Sequence, residues 1–294
     1  MPRSAMSLLF SIITPCLNRA QWLDETIRSV LDQTAVRNGK AKVECLVVDG
    51  GSRDNTVSIL QRFQEQNPGV FSFSSEPDRG MYDALAKGLR RARGDVVAYL
   101  NAGDYYHPTC FDVVRTIFEQ NPTVSWLTGY GLLYNEFGHA IEVTLPYLFR
   151  RHLIRQGAYG LELPFIEQEA TFWRAELLAE VDYDRLAGCR LAGDFYLWHQ
   201  FAGRTDLRIV KALLGGFRWH PGQLSTDLTA YRDEMRGIVT SEPTARDRAQ
   251  VLLDRALYRA PGWAIPRLNP DIFRFSREHG WSTRIPRGRQ NGSR

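Results

Sequence analysis

Three apolar runs within the first 104 residues each stop at groups suited to ligand binding. The first ends in Thr14-Pro15-Cys16-Leu17-Asn18-Arg19, the second in Asp49-Gly50-Gly51-Ser52-Arg53-Asp54, and the third in Asn101-Ala102-Gly103-Asp104. Asp and Asn also close turns and cap helices, so any one of the three could be purely structural. Three at successive strand ends describe a binding rim instead. In an open parallel sheet, ligands lie outside the carboxyl ends of the strands, near the point where strand order reverses. No Gly-x-Gly-x-x-Gly follows the first run, which argues against a dinucleotide oxidoreductase. No glycine-rich, lysine-containing phosphate loop lies near the N-terminus either, which disfavours a nucleotidyltransferase.

The elements needed to position this rim are legible. Leu8–Ile13 predicts a buried strand closed by a proline turn, and Trp22, Leu23, Ile27, Val30 and Leu31 follow at helical spacing. Residues 43–48 predict a second strand, and Val57, Ile59, Leu60 and Phe63 a helix that Asp54 or Asn55 could cap. Further strands are expected at residues 70–74 and 95–100, with a helix over 81–92 between them. This alternation predicts an α/β fold with a doubly wound, mostly parallel sheet flanked by helices. Beyond residue 105 the rhythm loosens. Residues 111–118 and 195–201 suggest helices, 125–134 and 207–214 strands, 177–179 a short helix, and 144–166 a loop over a cleft. Residues 245–257 form an amphipathic pattern with Ser241 as a candidate cap, and 288–294 read as disordered.

Charge and cysteines narrow the partners. The 294 residues carry a formal +4, but Arg267–Arg294 holds seven arginines against two acids, leaving residues 1–266 at −1. A near-neutral body lacks the field expected around a polyanion groove, so no nucleic acid is expected. The basic tail, interleaved with Trp263, Ile265, Phe273, Phe275 and Trp281, suits an anionic membrane surface or a merely solubilising role. Four scattered cysteines without a Cys-x-x-Cys pair fit reduced thiols and a cytoplasmic protein, peripheral at most on the inner face of the cell membrane. No signal peptide and no run of about 18 apolar residues is apparent.

The sequence resembles inverting GT-A glycosyltransferases of family 2, especially those of bacterial surface-polysaccharide biosynthesis. The resemblance rests on Thr14-Pro15 with Asn18-Arg19, Leu23, Ile27, Ser29-Val30-Leu31 and Gln33. It continues through Glu44–Thr56, Glu76–Gly88 and Gly94–Asp104, strongly over residues 8–106 and more thinly to about 230. It implies a glycosyltransferase domain over 1–230, divided into a nucleotide-binding half (1–106) and an acceptor half (107–230). A C-terminal helical or irregular extension with the basic tail would then occupy 231–294.

The same resemblance assigns roles. Asp49 would accept a hydrogen bond from the donor nucleotide, with Pro15, Arg19, Asp78, Arg79 and Asn101 around it. Asn101 to Asp104 occupies the family's Asp-x-Asp position, where Mg²⁺ or Mn²⁺ would be held by Asp104 and the donor phosphates. Asn and Gly stand at 101 and 103 where acids are common. His220 falls where related enzymes touch metal or diphosphate. Asp194 is the candidate base for the acceptor hydroxyl, with Glu169 the other candidate, and Trp173 and Trp198 could stack on a sugar. The implied reaction moves a sugar from a nucleotide-sugar donor to a glycan or lipid-linked saccharide acceptor. The alternative is a catalytically degenerate protein that only binds nucleotide or glycan.

Overall fold

The computed structural model describes residues 7–219, 223, 227–259, 264 and 268–283. Four strands, β1 (Leu9–Cys16), β2 (Lys42–Asp49), β3 (Phe71–Ser75) and β4 (Val96–Tyr99), run parallel in the order β3-β2-β1-β4. Helices α1 (Ala20–Leu31), α2 (Thr34–Arg37), α3 (Thr56–Gln66) and α4 (Met81–Arg91) connect them. The order reverses between β1 and β4, so the switch point lies beyond Cys16 and Tyr99. Phe10 and Ile13 point to opposite faces of β1. Phe10 stacks on Phe111 of α5 (Cys110–Gln120), with ring centroids 4.3 Å apart. Ile13 meets α4 at Gly88, where a Cβ would stand 2.4 Å from its Cγ2. Helices therefore cover both faces, as predicted.

Strand β1 runs to Cys16, three residues past the expected end at Ile13 and one past Pro15. Ile13 offers its carbonyl to Leu100 of the β4 chain, whereas Cys16 offers its own to Gly50 on the β2 side. By alternation, the backbone of Pro15 faces the β4 side, where pairing has already ended at Ile13–Tyr99. The missing N–H costs no ladder bond there.

The sheet continues through short β5 (Tyr105–Tyr106), β6 (Trp126–Tyr134), β7 (Ala140–Thr144), β8 (Thr171–Arg174), β9 (Arg208–Leu213) and β10 (Gly215–Arg218). β8 lies antiparallel between β4 and β6, while β9 and β10 pair parallel with β6. The expected loop over 144–166 instead holds α6 (Arg151–Arg155) and the kinked α7 (Ala158–Leu161), anchored by buried Tyr147, Phe149, Leu153 and Ile154. Next come α8 (Tyr183–Gly188) and α9 (Gly193–Phe201). Residues 177–179 close a 3₁₀ turn. Trp173 and Trp198 are 0% and 3% exposed and pack on each other at 5.7 Å, within the core and away from any sugar-binding face.

Beyond residue 227 come α10 (Leu228–Ile238), α11 (Ala245–Leu257) and a hairpin of β11 (Arg274–Ser276) and β12 (Gly280–Ser282). Thr244, rather than Ser241, caps α11: its hydroxyl accepts the Asp247 N–H while the Asp247 carboxylate accepts the Thr244 N–H. Asp254, fully buried, receives both Nε (2.8 Å) and a terminal nitrogen (3.1 Å) of Arg150, plus Gln250. Asp254→Ala is expected to lower stability by about 2–3 kcal/mol, because it strands a half-buried guanidinium. A fall in urea midpoint at constant slope would register it. Phe273 inserts beside β9: its N–H donates to Ile209 O and its carbonyl accepts from Lys211, both at 2.9 Å. Of the basic tail, Arg267, Arg284, Arg287, Arg289 and Arg294 lie outside the described residues, with Trp263, Ile265 and the segment 288–294.

Candidate active site

The loops after β1 and β2 are knit into one rim. Asn18, at φ +50°, donates its N–H to Ser52 Oγ (2.7 Å) and accepts Arg53 N–H on Oδ1 (2.9 Å). Arg19 N–H reaches Thr56 Oγ1 at 3.0 Å, and Asp54 accepts from Ala20. Buried Asp49 turns its carboxylate onto its own loop. Oδ2 accepts from Gly51 N, Ser52 N and Ser75 Oγ, and among the described residues Oδ1 has the Ser52 hydroxyl alone. Asp78 lies directly over this turn, since a Cβ on Gly50 would come 2.6 Å from its Oδ2. Burial raises the Asp78 carboxyl pKa, opposed by the Gly80 N–H, while Asp83 and Asp49 add to the rise. Arg79 turns from the loop to pair with Asp83 at 2.8 Å, and Lys87 bridges Glu76 and Asp83. Pro15, Arg19, Asp49 and Asp78 thus share the rim, with Arg79 at its exposed edge.

The β4 end presents Asn101 and Asp104. Asn101 donates to Gln168 Oε1 (3.1 Å), and Gln168 in turn donates to the Tyr99 carbonyl. Asp104 Oδ1 accepts the Arg218 N–H at 2.8 Å. The Arg218 guanidinium lies over the Tyr105 ring and pairs with Glu25. Burial lifts the Asp104 carboxyl above the usual range against the pull of Arg218. His220, two residues on, lies outside the described residues.

A second group of acids faces this end. Glu169, in the 3₁₀ turn Gln168–Ala170, is buried, and its carboxyl is lifted far above the usual range by burial and then by Glu167 and Asp104. Burial also raises Glu167, helped by Glu142 and Asp194. Asp194 lies in the first turn of α9, whose N-cap is Ala192. Its Oδ1 accepts the hydroxyls of Tyr231 (2.8 Å) and Tyr82 (3.2 Å) and the Phe195 N–H (2.8 Å). Burial pushes Asp194 up to about 6, held down from further rise by the Phe195 N–H and the two hydroxyls. Oδ2 has no hydrogen bond among the described residues.

The oxygens suit a hard cation. Asp104 Oδ2, Asn101 Oδ1 and Glu169 Oε1 are buried and unpartnered among the described residues. Such oxygens fit Mg²⁺ or Mn²⁺ sharing a ligand's phosphate oxygens. No three His, Cys, Asp or Glu side chains among the described residues could hold a metal ion together. Sequence reasoning missed Tyr82, Asp83, Gln168, Arg218 and Tyr231. Tyr82 and Asp83 stand inside the Glu76–Gly88 motif, and Arg218 lies two residues before His220. Tyr231 had no local signal.

This sheet, with its rim at the switch point, is that of the GT-A glycosyltransferases. Staphylococcus aureus TarS 1-349 in complex with UDP-GlcNAc matches with a TM-score of 0.61 at 14% identity, over 89% of this chain and 78% of that one. The mannosyltransferase PcManGT from Pyrobaculum calidifontis, in complex with GDP-Man and Mn²⁺, matches with a TM-score of 0.57 at 19% identity, over 90% and 74%. At such identities the likeness is one of fold. The chain belongs to glycosyl transferase family 2, whose family model matches residues 11–181, more than half its length, and it is a transferase. An uncharacterized glycosyltransferase of Mycobacterium tuberculosis is 28% identical over 190 residues, 64% of this chain and 67% of its own. TuaG of Bacillus subtilis, named for teichuronic acid biosynthesis, is 30% identical over 125 residues, 42% of this chain and 48% of its own. Asp194 and Tyr231 lie beyond the matched segment. No helix among the described residues is long and apolar enough to cross a membrane.

Proposed function

We propose that the protein transfers a sugar from a nucleotide-sugar donor to a hydroxyl of a glycan or lipid-linked acceptor, with inversion and with Asp194 as base. The observation that carries this reading is the Asp194 carboxylate, held on one oxygen by two hydroxyls and the Phe195 N–H, with no hydrogen bond to the other among the described residues, and with its pKa raised to about 6. The acceptor oxygen forms its bond to the anomeric carbon from the face opposite the diphosphate. The bond to the diphosphate oxygen breaks, and the acceptor proton passes to Asp194 Oδ2. Asp49 and Asp78 would receive the nucleotide, lined by Pro15 and Arg19 and closed by Arg79 and Asn101. A Mg²⁺ or Mn²⁺ ion at Asp104 and Asn101 would supply charge neutralisation for the departing diphosphate. On this division residues 1–106 serve the donor and 107–230 the acceptor, with 231–294 as an extension. The TuaG name supports a surface-polysaccharide acceptor.

A thermal-shift screen over UDP-, GDP- and dTDP-sugars, with and without Mn²⁺, tests the donor reading. One base series is expected to raise Tm by about 4 °C at hundredfold excess over its Kd, more with Mn²⁺ than without. Asp104→Ala is expected to remove the Mn²⁺ increment. Silence across the whole panel sinks the proposal.

A further inference from the structure

We infer that Tyr231, on α10, is a positioning residue for Asp194, with Tyr82 of α4 in a lesser supporting role. The inference rests on the reading of Asp194 as the base.

Three observations converge. First, the two hydroxyls reach one carboxylate oxygen from elements far apart in the chain: Tyr82 lies 112 residues before Asp194 and Tyr231 37 residues after it. Second, the backbone is shaped to admit one of them. A Cβ at Gly193 would stand 2.3 Å from Tyr82 Cδ1, so only glycine at the start of α9 lets that ring lie against the helix. Third, the hydroxyl protons are not equivalent. The Tyr82 hydroxyl lies 2.9 Å from the Leu191 carbonyl and 3.2 Å from Asp194, and its single proton serves the nearer acceptor better. Among the described residues, the Tyr231 hydroxyl has Asp194 alone, at 2.8 Å. Its ring is set edge-on against Phe165 at 5.5 Å, which fixes where the hydroxyl points.

The need for such a donor follows from the surroundings. Among the described residues, titratable groups that face Asp194 include Glu167 and Glu169, Tyr99 of β4, Cys189, Tyr82 and Tyr231. Burial and two neighbouring acids disfavour the Asp194 anion, whereas hydrogen bonds to its charged form favour it. Tyr231 thus keeps the base ionised near neutral pH and fixes Oδ1, which leaves Oδ2 for the acceptor proton.

The test compares Tyr231→Phe and Tyr82→Phe with the parent enzyme by two readouts. One is the ¹³C carboxyl titration of aspartate-labelled protein, with the Asp194 signal assigned by its loss in Asp194→Asn. The other is release of nucleoside diphosphate from the sugar nucleotide selected by the thermal-shift screen. Tyr231→Phe keeps the ring and its contact with Phe165, and is expected to move the Asp194 midpoint up by about one pH unit. Diphosphate release then falls about fivefold at pH 6 and stays near the parent value at pH 8. Tyr82→Phe is expected to give the same pattern with a smaller shift. A loss equal at both pH values, or an unmoved midpoint, overturns the positioning role alone. Undiminished release by Asp194→Asn overturns the base reading and the positioning role with it, whatever the titration gives.

Discussion

Replacing Asp194 with Asn is expected to cut sugar transfer by about a thousandfold while leaving the fold and donor binding intact. The carboxamide keeps the volume of the side chain and can still accept the Tyr231 hydroxyl, so packing at the head of α9 is retained. What it loses is the capacity to take a proton. The pH profile carries the same information. A carboxyl raised to about 6 is protonated below that pH and cannot act as a base there. For the parent enzyme, kcat/KM should therefore fall about tenfold per unit below pH 6 and flatten above it. In Asp194→Asn the residual rate should lose that acidic limb. Glu169→Gln provides the contrast. Burial first, then Glu167 and Asp104, lift its carboxyl well above the usual carboxylate range, further from its ordinary state than an exposed acid would be. Loss of the limb in Glu169→Gln, with its retention in Asp194→Asn, would reverse the assignment.

Loss of Phe273 is expected to damage stability severely. Its ring is 2% exposed, and its main chain pairs with β9 on both sides of the residue. Phe273→Ala is expected to cost about 3–4 kcal/mol, a large part of the roughly 5–15 kcal/mol by which a domain is stable. Truncation after Pro266 goes further. It also removes Ile272, which is buried, and Asn269, whose amide donates to the Tyr147 carbonyl at 2.9 Å. Such a chain is expected to lose cooperative unfolding in urea, followed by circular dichroism. A cooperative transition at the parent midpoint would show that the segment contributes nothing. Trimming meant to test membrane docking by the basic tail must therefore keep residues through Ser282.

The parts of the fold legible in the sequence were those governed by local pattern. β1 to β4 are apolar runs bounded by turns, and Asp49-Gly50-Gly51-Ser52 announces its turn through glycine. The antiparallel half was harder. β8 is four residues, Thr-Phe-Trp-Arg with the first three buried, too short for a period, and its place between β4 and β6 depends on contacts across the chain. Trp173 and Trp198 illustrate the same limit: spacing does not distinguish a ring that stacks on a sugar from one that fills a core. In the site, the strand-end residues were legible as a set, because three polar turns follow three strands. The partners that tune them were not. Tyr231 meets Asp194 only through the docking of α10, and Arg218 meets Asp104 only because β10 folds back on β5.

The pairing of Phe273 with β9 also bears on how the protein is made. Ile209 and Lys211 emerge from the ribosome more than sixty residues before the segment that covers them. Until residue 273 follows, that stretch of β9 is an open strand edge, the kind of surface on which nascent chains pair with one another. Protection against aggregation during synthesis therefore depends on a residue translated more than sixty positions after the edge it covers.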